Sequence, residues 1–156
     1  MELVGFDTHI LIWGVQKTSR QAQQEMISKT MRFFKHLDDK EIKVIIPSVV
    51  LSEFLMPIPV TDMGKYLHEI EEKFMVVPYD AMTAIEFAKI WQSKQDDNTI
   101  QALRHDGFSK HHLKVDGMIV ATALTQKASC IYSHDPGLKK FASGYIEVKE
   151  IPCVPQ

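Results

Sequence analysis

Leu3-Val4-Gly5-Phe6 is apolar at four consecutive positions and stops at Asp7. A strand with one wet face alternates polar and apolar residues. This one does not, so both its faces need cover, as in a parallel sheet packed under helices. Thr8 and His9 follow, and then Ile10 to Val15, an apolar run long enough for a helical turn or two. The order predicts a strand, a turn that opens with a carboxylate, and a helix. Open α/β sheets place their chemistry at such turns. A plainer role for Asp7 is to cap the following helix. This stretch alone leaves both roles open.

The pattern then recurs. Thr18 to Leu37 carries Met26, Ile27, Met31, Phe33, Phe34 and Leu37 at mostly helical spacings, an amphipathic helix with room for a break. Ile42 to Ile46 reads as a strand closed by Pro47. Ser48 is the expected N-cap of a helix that starts at Val49, carries Glu53 on its second turn and stops at Pro57 and Pro59. Met63 to Lys73 is helical, and Phe74 to Pro78 is a third strand. Asp80 caps a helix from Ala81 to Trp91, with Ala84, Ile85, Ala88 and Trp91 as its expected core stripe. Three strand–helix alternations favour βαβ units and a parallel sheet. Residues 92–112 are polar apart from Ile100, Leu103 and Phe108, and predict a mobile loop with one short helix. Residues 113–124 form a helix apolar almost all round. Ser129 to Ser133 is a fourth strand, followed by a short helix to Ala142 and a last strand from Tyr145 to Val148. A single domain over 1–150 and a short tail over 151–156 are expected.

At 156 residues and 45% hydrophobic, the chain can bury one substantial core. Eighteen basic against twenty acidic residues give a net charge of −2, which excludes coating nucleic acid by bulk charge. It leaves a local cleft open to nucleic-acid chemistry. Cys130 and Cys153 have no metal-ligand spacing, so reduced thiols of a cytosolic protein are expected. Glu2 stands where a secretory signal has basic residues, and no apolar run nears the ~20 residues of a membrane span. The expected location is the cytoplasm.

Four carboxylates occupy telling places. Asp7 and Asp135 each follow a strand, Glu53 lies just inside a helix that follows a strand, and Asp116 sits near the start of the most apolar helix. Asp135 before Pro136 also suits an N-cap with proline at N1, and Glu53 also suits an exposed helix position. Asp116 is harder to account for structurally. An ionised carboxylate buried in so apolar a helix costs several kcal/mol unless a cation or donors meet it. Together the four suggest one oxygen-rich cage, and hard oxygen ligands select Mg²⁺ or Mn²⁺ over zinc.

From Val4 to Val148 the sequence resembles the PIN domain, the nuclease fold that includes VapC-type toxins. The resemblance rests on FDTHIL (6–11) with Asp7, PSVVLSEFL (47–55) with Glu53, VDGMIVATAL (115–124) with Asp116, and YSHD (132–135) with Asp135. The helix start at Asp80-Ala81 also looks like the family. His9 departs from the commoner Asn or Ser, Gly117 and Val120 from Ala, and His134 from Arg; residues 92–112 are longer than in a minimal member. None of these departures removes an acid.

The resemblance implies a three-layer α/β/α domain with a parallel sheet in the order 3-2-1-4-5. Asp7 and Asp135 would then flank the crevice at the switch point. It implies metal-dependent endoribonuclease activity on single-stranded or structured RNA. Asp7, Glu53 and Asp116 would hold a first divalent ion, Mg²⁺ or Mn²⁺, with Asp135 completing the cage or supporting a second. Thr8 and Ser133 would orient the carboxylates. Arg104, Lys110 and Lys114, with His111 and His112, are the candidate cationic rim for RNA. Adjacent His111 and His112 would diverge on a regular element, which argues against a zinc site there. A cognate antitoxin, in a toxin–antitoxin pair, and a homodimer are the partners the resemblance leaves open. A non-catalytic RNA- or protein-binding module on the same fold competes with this reading, although four intact acids count against it. A phosphoryl-transfer or receiver domain fits less well, because the haloacid-dehalogenase pattern wants a second Asp where His9 stands.

Overall fold

The computed structural model describes residues 2–156. Five strands, β1 Leu3–Phe6, β2 Lys43–Pro47, β3 Met75–Val77, β4 Cys130–Tyr132 and β5 Glu147–Lys149, form one sheet in the order β3-β2-β1-β4-β5. All neighbours pair in parallel, with Val4 opposite Val44 on one side and Cys130 on the other. Both the parallel sheet and its order agree with expectation. Val4, Gly5 and Phe6 are all buried, so consecutive side chains are covered on opposite faces. The Phe6 ring stacks on Phe34 at 5.5 Å and meets Phe74 and Tyr132 edge-on, which anchors the helix carrying Phe34 over that face.

The first helix, α1 Thr8–Leu11, passes into a π-helical turn over Ile12–Gln16 that ends at Lys17 in the left-handed region, φ 60°. A 3₁₀ turn at Gln21–Gln23 precedes α2 Glu25–Asp39, so the amphipathic helix predicted from Thr18 begins seven residues later. After β2 comes α3 Ser48–Leu55. Its N-cap position is Pro47, and no side chain caps it. Ser48 is therefore not the cap; its carbonyl accepts the Ser52 hydroxyl inside the helix. Helix α4 spans Val60–Lys73.

Two expectations fail between β3 and β4. Helix α5 spans Ala81–Asp96 under its Asp80 cap, five residues past the predicted end, and α6 Thr99–His105 follows. Helix α7, Lys110–Thr125, starts three residues early because the Ser109 hydroxyl caps it by accepting the His112 N–H at 3.0 Å. The stretch 92–112 is thus mostly helical. It is pinned by buried Ile100 and Leu103, and by the Lys94 ammonium, which donates to the Ser143 carbonyl at 2.7 Å above the Tyr145 ring. The predicted core stripe of α5 is also misplaced. Ala84, Ile85 and Ala88 are exposed, while Thr83, Ile90 and Lys94 face inward with Phe87 and Trp91 half-buried. Apolar residues lie on both sides of this helix, so periodicity could not orient it; packing against α7 does.

The last helix, α8, spans Pro136–Ala142. Tyr145 and Ile146 donate to the Ala142 carbonyl and finish that helix end, so β5 starts later than predicted. In the short tail Ile151 is buried in the core. No helix among the described residues is long and apolar enough to cross a membrane. Cys130 is buried and Cys153 exposed, both as free thiols.

Candidate functional site

The site forms where the sheet order reverses, between β1 and β4. Parallel pairing of Phe6 with Tyr132 sets Asp7 beside Ser133, and the Asp7 N–H donates to the Tyr132 carbonyl at 3.0 Å. Ser133 links two acids. Its hydroxyl donates to Asp7 Oδ2 at 2.6 Å and accepts the Asp135 N–H at 3.0 Å. Its own N–H is held by the Lys149 carbonyl, so β5 fixes the position. Asp7 Oδ1 accepts the Thr8 N–H at 2.7 Å, so Asp7 starts α1 as well as facing the crevice. Asp135 caps α8 through the Gly137 N–H at 2.8 Å, with Pro136 as the first helical residue.

Glu53, half-buried on α3, accepts the Thr8 hydroxyl at 3.1 Å. Thr8 and Ser133 therefore each hold a carboxylate of the cluster. Asp116 comes from α7 and is 3% exposed, its Oδ2 buried without a hydrogen bond among the described residues. Burial pushes its carboxyl up to about 8, and the charges of Asp135, Asp7 and Glu53 push the same way. Burial also raises Asp7, against the bonds from Ser133 and Thr8 that favour its ionised form. Glu53 is raised by burial first and then by the charge of Asp7. The four acids named from the sequence thus share one crevice, and their charges work against the ionisation of Asp7, Glu53 and Asp116.

His112 belongs to the same cluster and was not among the acids read as its members. Its Nε2 lies 2.8 Å from Asp135 Oδ2, in hydrogen-bond contact, and 3.3 Å from Asp116 Oδ2. Among the described residues, His112, Asp116 and Asp135 form the group whose ligating atoms all lie within 4.8 Å of one another. The signal was the spacing: His112 and Asp116 are four apart and share a helix face once the helix is known to start at Lys110. Lys110 and Lys114 lie roughly half a turn away around α7, at about 100° per residue, and are exposed. They point away from the acids, and Arg104 is an exposed residue at the end of α6. Arg104, Lys110 and Lys114 are not among the residues that line the groove beside Asp135. That groove, of about 310 Å³, is instead lined by His9, Trp13, Gln23, His112, His134 and Pro136. An adjoining hollow shares His9, Trp13 and Gln23 and reaches Arg20. His134 stands where the family more often has Arg; burial lowers its pKa, and its Nε2 accepts the Ile151 N–H at 3.0 Å.

Carboxylate oxygens with one imidazole nitrogen, and a buried Asp116 oxygen lacking a donor, are the environment a divalent cation satisfies. The residues present fit such an ion.

No protein-family model matches the sequence, and no curated protein matches it. Solved structures do. The crystal structure of VapBC2 from Rickettsia felis bound to a DNA fragment from its promoter contains a chain that matches with a TM-score of 0.68 and 12% identity, over 95% of this chain and 98% of that one. The crystal structure of DNA-bound VapBC from Salmonella typhimurium matches with a TM-score of 0.59 and 16% identity, over 97% of this chain and 100% of that one. The fold is PIN-like, of the VapC type. In this PIN-like fold the sheet order places the four acids and His112 in the switch-point crevice, and the end of α5, α6 and the start of α7 occupy residues 92–112.

Proposed function

We propose that this chain is a divalent-metal-dependent endoribonuclease and the toxin of a toxin–antitoxin pair. The observation that carries the reading is the convergence of buried Asp7 and Asp116 with half-buried Asp135, with Asp116 Oδ2 left without a hydrogen bond. Such a cluster is costly unless a cation completes it. The likeness to chains of VapBC complexes supports the toxin assignment and a small antitoxin as partner.

Asp7, Glu53, Asp116 and Asp135 would hold Mg²⁺ or Mn²⁺. Bound there, the ion would supply charge neutralisation on the scissile phosphate and a more acidic water for in-line displacement. The chain's own residues then act around it. Ser133 and Thr8 fix the Asp7 and Glu53 oxygens and keep the cluster from relaxing outward. Four acids repel a polyanion, so single-stranded RNA needs other contacts. The groove beside Asp135 offers Gln23 and the rings of His9 and His134 to bases, and Arg20 beyond it to a phosphate.

Purified protein should cleave single-stranded RNA with Mg²⁺ or Mn²⁺ and stop in EDTA. Asp7→Asn and Asp116→Asn should abolish cleavage while circular dichroism stays native. Cleavage that persists in EDTA, or in Asp116→Asn, would overturn the reading.

A further inference from the structure

Resting on that nuclease reading, we infer that His112 is itself a metal ligand, and that with Asp116 and Asp135 it makes a mixed nitrogen–oxygen site that prefers Mn²⁺ over Mg²⁺. The acids alone would not say this. The Nε2 position does, because it lies 2.8 Å from Asp135 Oδ2 and 3.3 Å from Asp116 Oδ2. Two atoms bound at right angles to one ion at about 2.1 Å stand about 3.0 Å apart, and both observed separations fall around that value. The third edge, between the two carboxylates, lies within 4.8 Å, so all three ligating atoms face one small space.

The ring is not placed there by chance contact of a long, free side chain. The Ser109 cap fixes the first turn of α7 through the His112 N–H itself. The Phe108 ring lies 5.6 Å from the imidazole. The four-residue spacing sets Asp116 directly one turn on. Asp116 Oδ2 supplies the second observation: it is buried, lacks a hydrogen bond and faces the imidazole. A neutral imidazole suits transition metals, whereas Mg²⁺ favours an all-oxygen shell and keeps its waters. A nitrogen ligand therefore shifts preference towards Mn²⁺ and its heavier neighbours. The alternative is that His112 merely offsets the acids' charge and is pushed out when an ion arrives. The two differ in sign, because removing a competitor tightens metal binding and removing a ligand weakens it.

The test is metal binding by the full chain without RNA. Calorimetry should show Mn²⁺ affinity falling about 10-fold or more in His112→Ala, with Mg²⁺ affinity changing much less. Pulsed electron paramagnetic resonance of the Mn²⁺-loaded protein should show a nitrogen coupling. That coupling should vanish in His112→Ala and His112→Gln and persist in His111→Ala, whose neighbouring ring is exposed. Wild-type protein that binds Mn²⁺ without nitrogen coupling, or His112→Ala that binds Mn²⁺ as tightly or more tightly, overturns the inference and leaves the nuclease reading standing. Wild-type protein that binds neither ion overturns the nuclease reading and this inference with it.

Discussion

Asp116 sits 3% exposed among three other carboxylates, and its pKa is raised from 3.8 to about 8 by burial and then by Asp135, Asp7 and Glu53. Between those two values the folded chain holds a proton that the unfolded chain has released, so stability falls as pH rises. The contribution is fully present below 3.8 and gone above about 8. Raised Asp7 and Glu53 add to the same slope. In EDTA the melting temperature should therefore fall across this window, and Asp116→Asn should flatten the decline and melt higher at its alkaline end. A steeper decline in that variant would show that Asp116 is stabilised as the anion. Ser133 is the other residue with leverage, because one hydroxyl serves both Asp7 and the Asp135 N–H. Ser133→Ala should cost about 1–3 kcal/mol in urea unfolding, the range for leaving buried partners unsatisfied.

At the scale of elements, α7 is the beam that carries His112 and Asp116, and its seating on α5 decides where they point. A Cβ on Gly117 would lie 2.7 Å from the Phe87 ring, which explains glycine where the family often has alanine. Gly117→Ala should gain about 1 kcal/mol of helix propensity and lose about 1–3 kcal/mol to overpacking, for a net loss. Phe87→Leu in the same chain should recover it, and a double-mutant cycle should show a coupling of at least about 0.5 kcal/mol. Additive effects would mean the two helices part freely. The far end of α5 is tied by Lys94, and Lys94→Met should cost about 1.5–3 kcal/mol by denaturant melt through loss of its charged hydrogen bond to Ser143. This tie was not legible in the sequence. A lysine amid Gln, Asp and Asn looks solvated, and only the fold brings Ser143 beneath it.

For the whole molecule, the proposed ion would be a stability term. With ~10 mM Mg²⁺ and a dissociation constant of order 1 mM, the gain is about 1.4 kcal/mol. For a chain of this length that is a rise of roughly 3–5 °C in melting temperature. Asp116→Asn should shrink the rise, and an unmoved wild-type melting curve would count against the metal site. The proposed RNA binding would have a whole-molecule signature too. Arg20→Ala should lower the salt slope by roughly one, whereas Lys110→Ala with Lys114→Ala should leave it nearly unchanged because those side chains point away. The sequence by itself determined the strands, their parallel pairing and the placing of Asp7 and Asp135 at strand ends. Each of these is local: an unbroken apolar run demands two covered faces, and a carboxylate at a strand end lies at the sheet's active edge. Only the tertiary structure decided which face of α5 is buried, that residues 92–112 fold into helices, and that His112 joins Asp116 and Asp135 while Lys110 and Lys114 turn away. These depend on contacts between residues distant along the chain, such as Lys94 with Ser143 and Gly117 with Phe87. A helix with apolar residues on both sides has no inward direction until a neighbour supplies one.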